Sequence, residues 1–478
     1  MRLTLFYTIV FIVTCFVCNN PFFWDTVQLA SKHGHFFYVT DFQTLILPKE
    51  IDSGHPPLFG MYIALVWKIF GKTLCASHFA MLPFLFGIVY FLQAIGRKLL
   101  GQSMAPWMVL LCFVDPVLAG QSVLVSPDLV LVCCFLMSVW AIWSNKSWWL
   151  VLATIGLGLI STRGMMIGFA MFAFSIYESD KKFSVNLLFK KLLPFLPGGL
   201  LSVSYLLFHW TQTGWIGYHA GSTWAPSFEP VDFQGFVRNI GIMGWRFLDF
   251  GRVFVWIGIA SLGYIGLRKT NWKIPKPNRH QTGWQLVALT IFVFLAVGPS
   301  QLFYKGLLAH RYFLPFFLSL NFLVLYFICN QYSRVVQKRW YNLAIPALCL
   351  GLATGNFWVY PQKTAMGWDS TLAHLPWYGL LNQTKEFLEK ANIPYGQVGT
   401  AFPNIGDREI YELNGVGEGF VDKNLPSNCY VFYSNIMNDF SDAEIDELKR
   451  DWEIVFSREL GGVCTVLYRN PIRHQCAN

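Results

Sequence analysis

Residues 3–20 read LTLFYTIVFIVTCFVCNN and are followed at once by Pro21-Phe22-Phe23-Trp24-Asp25. An apolar run of this length can cross a hydrocarbon core of about 30 Å as a helix. Hydrophobic residues make up 54% of the 478 residues and charged residues only 13%. Soluble domains carry roughly 25% charged residues. The sequence therefore predicts a polytopic membrane protein whose first span ends at an acidic residue.

Apolar segments of similar length recur along the chain, and each is a candidate helix across the bilayer. We predict eleven spans, near residues 3–20, 74–96, 104–122, 128–144, 147–162, 164–178, 192–210, 252–268, 284–303, 311–329 and 341–359. The first run also suits a signal peptide, but no small-x-small cleavage site precedes Asn19, so we expect a retained anchor. The predicted architecture is an all-α polytopic bundle of about 11 transmembrane helices over residues 1–359.

The cationic residues orient this bundle. They are concentrated in alternate connections, at Arg97-Lys98, Lys146, 181–191, 268–279 and 334–339. The positive-inside rule places these connections in the cytoplasm, which leaves the loops 21–73, 123–127 and 211–251 and the C-terminal region outside. The net charge of +9 then faces membrane lipids, and no basic-aromatic stripe indicates a nucleic-acid partner.

The chain changes character after residue 360. Helical patterns at 384–390 and from Ser441, whose spacing to Glu444 is that of a capping box, alternate with short β-like runs. These runs lie near 396–401, 429–433, 452–457 and 463–468. Residues 360–478 are therefore predicted to form a small extracytoplasmic α/β domain. Cys429 and Cys464 each lie in one of its strands, so a disulfide between them is one possibility, with Cys476 left over.

The predicted outer loop 21–73 is unusually rich in ionisable side chains for a connection. It contains Asp25, His33, His35, Asp41, Glu50, Asp52 and His55. After these, Pro56-Pro57 predicts the start of an amphipathic helix over 58–70 that ends at Gly71 and lies in the membrane interface. Ionisable groups at a membrane boundary cost free energy, and their concentration indicates a reaction site at the outer face.

At this point the chain resembles the GT-C superfamily of polytopic glycosyltransferases, in the branch of the protein O-mannosyltransferases and the lipid A aminoarabinose transferases. The resemblance rests on short motifs in the family's order. They are Asp25, His55-Pro56-Pro57-Leu58, Leu65-Val-Trp-Lys-Ile-Phe-Gly71, Ser126-Pro127-Asp128-Leu129, Thr162-Arg163-Gly164 and Arg311-Tyr312-Phe313-Leu314-Pro315. The motifs differ from the usual ones in Asp25-Thr26 for an Asp-Glu pair, and in His55 and Arg163 where lysine is common.

The resemblance implies an inverting enzyme that moves a sugar from a polyprenyl phosphate to a hydroxyl of a lipid, glycan or protein acceptor. It implies Asp25 as the catalytic base, with Asp128 as a second catalytic carboxylate. Arg163, Arg311 and His55 are candidates for binding the phosphate, and Asp52 for binding substrate or for pairing with His55. A divalent metal ion held by Asp25 and Asp128 stays open. The location expected is a bacterial inner membrane, with the site facing the periplasm.

Simpler interpretations exist for two of these residues, and a further acidic residue, Asp115, is also best explained structurally. Asp128 suits the first turn of a helix, where a carboxylate is favoured by the helix dipole. Arg311 suits a side chain that reaches from a helix end to the interface, and Asp115, which precedes Pro116, suits a structural role. An Asp52–His55 pair would raise the pKa of the imidazole.

Two other classes of function remain open for the whole chain. A transporter or flippase of lipid-linked saccharides would also need a cationic phosphate site, although we see none of the repeats typical of transporters. A non-catalytic membrane scaffold would use the outer domain to bind a partner.

Overall fold

The computed structural model describes residues 3–179, 184–222, 224–269, 281–306, 308–332, 338–413 and 417–471. Helices dominate this part of the chain up to the last predicted span. They are α1 Leu3–Val17, α2 His33–Val39 (after a π-helical turn at Val27–Lys32), α3 Leu58–Phe70, α4 Leu74–Phe79, α5 Leu82–Leu100, α6 Ala105–Val114, α7 Pro116–Ser122, α8 Pro127–Ser144, α9 Ser147–Ile160, α10 Thr162–Tyr177, α11 Val185–Leu192, α12 Leu196–Thr213, α13 Phe233–Leu248, α14 Val253–Lys269, α15 Thr282–Gln301, α16 Leu314–Phe327 and α17 Lys338–Thr354.

A helix lies at each of the eleven predicted spans. Among the described residues, five helices are long and apolar enough to cross a membrane, or up to seven if each of two bent pairs is one span. The all-helical membrane architecture is thus confirmed, and the count of eleven stays a prediction. The basic connections 268–279 and 334–339, on which part of the orientation depends, lie largely outside the described residues.

Two of the apolar stretches are sharply bent. The axes of α6 and α7 differ by 77°, and the break falls at Asp115. The Asp115 carboxylate accepts a hydrogen bond from Val117 N at 3.0 Å, which caps α7, and it pairs with Arg252 Nη2 at 2.6 Å. The structural role predicted for Asp115 is therefore confirmed.

The second bend lies between α13 and α14, whose axes differ by 82°. The prediction that 211–251 is a loop is wrong in part, because the segment contains the helix α13. Its glycines and polar residues break up the apolar run. Phe233 and Trp245 lie exposed along the helix, whereas Asn239 is fully buried. The Asn239 side chain donates to the carbonyl oxygens of Leu302 and Tyr304, at 2.9 Å each.

Helix α3 has the predicted bounds. It follows Pro57 and ends at Gly71, whose φ of 90° is a backbone conformation that glycine adopts without steric cost. The sequence alone was sufficient to predict this helix, because neighbouring residues, Pro57 and Gly71, set its two ends.

The C-terminal part of the chain is a small α/β unit, which we call the outer unit after the location predicted for it. Its helices are α18 Pro376–Lys390, α19 Arg408–Tyr411 and α20 Asp442–Asp451, and its strands are β1 Val398–Thr400, β2 Val421–Asp422, β3 Tyr430–Ser434, β4 Glu453–Leu460 and β5 Val463–Arg469. The sheet order is β2-β1-β3-β5-β4. The β1–β2 and β1–β3 pairs are parallel, and the β3–β5 and β4–β5 pairs are antiparallel. The predicted α/β class is confirmed, as is the capping box of Ser441 and Glu444.

The disulfide considered from the sequence does not form. Cys464 is a free thiol, whereas Cys429 is disulfide-bonded. Cys476 lies outside the described residues.

The outer unit packs directly on the membrane helices. Its core includes Phe23 from the first loop, Leu124 from the α7–α8 connection and Phe250 from the α13–α14 bend. Helix α19 lies against the first loop, where Phe22 N donates to Tyr411 O at 3.0 Å and Lys72 pairs with Glu409 at 2.8 Å. The start of the first loop, at Phe22 and Phe23, is therefore packed between the bundle and the outer unit.

The segment between α17 and α18 also contacts the bundle closely. Its 3-10 turn Trp368–Ser370 lies against α7, where a Cβ added to Gly120 would be only 2.6 Å from Thr371 N. The side chain of Gln121 donates to the carbonyl oxygen of Asp369 at 2.8 Å. This contact brings Asp369 to the outer end of the bundle.

Candidate active site

The predicted site residues meet around one arginine. Arg311 lies in the 3-10 turn His310–Phe313 before α16, and its side chain is buried. Its Nη2 donates to the carboxylate of Asp25 and its Nη1 to that of Asp369. Its Nε lies 3.6 Å from Oδ2 of Asp128. These contacts rule out the alternative that Arg311 simply reaches toward the interface.

A strained turn aims Asp25 at this cluster. Trp24 has a φ of 52°, which is uncommon for a residue other than glycine. The turn is held by Thr26, whose Oγ1 accepts from Phe23 N at 2.9 Å and donates to Phe23 O at 2.7 Å. Thr26 therefore stabilises the backbone that presents Asp25.

Arg163 and Asp128 form a second pair beside Arg311. Arg163 Nη2 lies 2.8 Å from Asp128 Oδ1, and its guanidinium lies 4.1 Å from the centre of the Tyr312 ring. Ser161 caps α10 by accepting from Gly164 N at 3.1 Å, which fixes the turn that carries Arg163. Asp128 is in the first turn of α8, so its predicted structural position and its place in the cluster are both observed.

A cavity that is partly open to solvent lies beside these pairs. Its lining includes Asp25, Ser53, His55, Arg163, Tyr218 and Tyr312. Asp25 contacts Arg311 through Oδ2, and its side chain retains 20% exposure. A carboxylate and a guanidinium thus line the same cavity.

His55 lines this cavity as a neutral side chain. Burial, together with the charge of Arg163, lowers the pKa of His55 to about 4. Its Nδ1 lies 3.3 Å from the hydroxyl of Thr162, and its carbonyl oxygen accepts from Tyr205 at 3.3 Å. His55 is therefore a polar lining residue and not a cation at neutral pH.

The predicted pairing of Asp52 with His55 is wrong. Asp52 Oδ2 lies 2.9 Å from Nε2 of His209 on α12, and its Oδ1 accepts from Gly54 N at 2.8 Å. Asp52 is buried and is not among the lining residues of the cavity. The contacts of Asp52 position the backbone that carries His55. His209 was not predicted as its partner, because His209 lies within an apolar span.

Asp369 is a site residue that the sequence does not predict. It lies in a Trp-Asp-Ser turn with no recognisable motif, and only the packing of this turn on α7 brings it to Arg311. Burial raises the pKa of the Asp369 carboxyl, although the charge of Arg311 opposes the shift.

The divalent metal ion considered for Asp25 and Asp128 stays a prediction. Within the ranges that the structure describes, no group of three or more His, Cys, Asp and Glu side chains is arranged to hold a metal ion. Asp25 and Asp128 face guanidinium groups.

An apolar groove, open to its surroundings, lies between α9, α10 and α12. Its lining includes Gly158, Gly164, Gly168, Phe169, Leu196 and Leu200. Gly164 follows Arg163 directly in α10, so this helix contributes both to the groove and to the charged site.

Part of the chain is similar to a known protein family. Residues 54–210 match the family model of the dolichyl-phosphate-mannose-protein mannosyltransferases, a range that contains His55, Asp128 and Arg163. No curated protein matches the chain at a significant level of sequence similarity.

Among solved structures, the chain is similar to ArnT from Cupriavidus metallidurans, both bound to undecaprenyl phosphate and in the apo state. Each comparison has a TM-score of 0.53 and 11% identity, and covers 97% of both chains. The family model and the fold together confirm the resemblance to the GT-C superfamily of glycosyltransferases, in the branch of the protein O-mannosyltransferases and the aminoarabinose transferases.

Proposed function

We propose that this protein transfers a sugar from a polyprenyl phosphate to an acceptor hydroxyl at the outer face of the membrane, with inversion at the sugar carbon. The observation that carries the proposal is one cavity lined by both Asp25 and Arg163, beside an apolar groove. The undecaprenyl phosphate bound to ArnT, a protein of the same fold, supports a polyprenyl donor.

Arg163 is the residue we assign to the donor phosphate. Its guanidinium is permanently charged, uses Nη2 toward Asp128 and lines the cavity, so further N–H groups are available for phosphate oxygens. The prenyl chain would lie in the apolar groove that reaches Gly164. As the sugar–phosphate bond breaks, charge grows on the phosphate oxygens, and Arg163 stabilises it.

Asp25 is the residue we assign to the acceptor. Its carboxylate takes the proton of the attacking hydroxyl as the new bond forms to the sugar, on the face opposite the departing phosphate. Phosphate is an adequate leaving group, so the reaction needs no separate general acid. His55 lines the same cavity and supplies a neutral hydrogen-bonding group.

The test of the transferase is a comparison of cells with and without this protein, followed by mass spectrometry of their lipids. We expect the deletion strain to accumulate one polyprenyl-phosphate sugar and to lose one glycan modification. The wild-type gene should restore both, and the Asp25→Asn gene should restore neither. Accumulation on the cytoplasmic side alone, with restoration by Asp25→Asn, would instead indicate a flippase.

We further propose that the cavity faces the periplasm of a bacterial cell. The support is the cationic connections at Arg97-Lys98 and Lys146, which favour the cytoplasm, opposite the outer unit. In intact cells, a membrane-impermeant thiol reagent should label a cysteine introduced at Asp407 but not one introduced at Lys146. The reverse pattern would contradict the orientation.

A further inference from the structure

Both Nη atoms of Arg311 already contact a carboxylate before any donor binds. Nη2 contacts Asp25 and Nη1 contacts Asp369, while Nε, 3.6 Å from Asp128 Oδ2, has no hydrogen-bond partner among the described residues. The Arg311 side chain is 9% exposed, so water screens these charges weakly. A phosphate that approaches Arg311 at Nη1 therefore competes with the Asp369 carboxylate.

The charge balance of the cluster points the same way. Three carboxylates, of Asp25, Asp128 and Asp369, face two guanidiniums, of Arg163 and Arg311, which leaves one net negative charge when all are ionised. A donor phosphodiester adds another negative charge to a site with little water. Uptake of one proton by a carboxylate restores the original balance.

Asp369 is the carboxylate best suited to give up its contact with Arg311 to a phosphate. Its side chain is 4% exposed, against 20% for Asp25, so burial disfavours its charged form more strongly. Burial accordingly raises the pKa of Asp369. Its backbone is held separately, through its carbonyl oxygen and Gln121, so the carboxyl group can release Arg311 without movement of the turn.

Resting on the proposed function, we propose that Asp369 is a displaceable counter-ion of Arg311. When the donor phosphate enters, one Nη1–H of Arg311 exchanges the Asp369 oxygen for a phosphate oxygen, and Asp369 takes up one proton from solvent. Donor binding and proton uptake are thereby coupled through a residue of the segment that leads into the outer unit.

The groups around Asp369 define the alternatives. Arg311, Asp25 and Asp128 face it from the bundle. Two buried histidines lie nearby, and each is hydrogen-bonded. His310 Nε2 lies 2.9 Å from Asp249 Oδ2, and His374 Nδ1 lies 2.7 Å from Thr371 O. Burial lowers the pKa of His374 to about 4, so it does not titrate near neutral pH.

The test measures binding of a polyprenyl methyl phosphodiester to the purified full-length protein by calorimetry. A diester is the right probe, because a phosphate monoester titrates near pH 6 and would exchange protons itself. Buffers with different ionisation enthalpies give the number of protons taken up. We expect close to one proton for the wild type, and a dissociation constant that rises by up to about tenfold per pH unit between pH 5.5 and 8.5.

Three variants complete the test. Asp369→Asn should bind the diester without proton uptake, and more tightly than the wild type at pH 8.5 by about tenfold or more. Asp369→Glu keeps a carboxyl and should keep the pH dependence. Asp446→Asn removes an exposed carboxylate of the outer unit, paired with Lys363, and should behave as the wild type.

Two outcomes overturn the inference while leaving the proposed function intact. One is donor binding to the wild type without proton uptake, a measurement that depends on no variant. The other is proton uptake that persists in Asp369→Asn and disappears in Asp25→Asn, which would identify Asp25 as the proton acceptor. Failure of the wild type to bind the diester at any pH would overturn the proposed function as well.

Discussion

Asp25→Asn should lower the turnover of sugar transfer by roughly 10²–10⁴-fold, the range typical for loss of a general base. The amide keeps the shape of the side chain and can still accept from Arg311, so the protein should fold and bind donor. The measurement is release of polyprenyl phosphate from a defined donor by purified protein under saturating donor.

The matched control for this variant is Asp41→Asn. Asp41 lies in the same first loop, but it is exposed and pairs with Lys68 at the surface. We expect turnover close to that of the wild type, because exposed ion pairs contribute little. If Asp25→Asn were as active as Asp41→Asn, Asp25 would not be the base, and Asp128 would be tested next.

Arg163→Gln should weaken donor binding by roughly 10- to 100-fold, since hydrogen bonds to charged groups contribute about 1.5–3 kcal/mol each. The loss should be the same from pH 5.5 to 8.5, because the guanidinium never deprotonates in this range. Arg163→Lys keeps the charge without the two-pronged geometry, and its affinity should be intermediate. The measurement is the dissociation constant of the polyprenyl methyl phosphodiester.

Two further variants test the assignment of the donor phosphate to Arg163. Arg238→Gln removes an exposed arginine of α13 and should not change donor affinity. His55→Gln should slow transfer by a constant factor over the same pH range, because an imidazole with a pKa of about 4 is already neutral at pH 5.5. If the defect of His55→Gln grew toward low pH, the charged imidazolium would matter for transfer. If Arg163→Gln bound the donor with unchanged affinity, Arg311 would be favoured as the residue that binds the phosphate.

Sequence reasoning succeeded where local signals were sufficient. The proline pair and Gly71 set both ends of α3, and Ser441 with Glu444 set the start of α20. The apolar runs located the membrane helices for the same reason. Helix α13 was missed because its glycines and polar residues keep it from forming a continuous apolar run, although its apolar residues recur at helical spacing.

The site was predicted only in part, because its members come from distant segments. The motifs identified Asp25, Asp128, Arg163 and Arg311, but not that Arg311 would bind Asp25. That contact depends on how α8, α10 and α16 pack. Asp369 and His209 carry no local signal at all, and the error about Asp52 followed directly from not knowing of His209.

The docking of Asp369 and Thr371 against α7 has a practical consequence for building chimeras with related proteins. Composition suggests cutting the chain at residue 360, where charge density rises. A graft joined there would replace Asp369 and Thr371, which pack against Gly120 and Gln121. It would also replace one carboxylate that pairs with Arg311. The junction should instead fall just before α18 at Pro376, so that the intervening stretch travels with the helices against which it is packed.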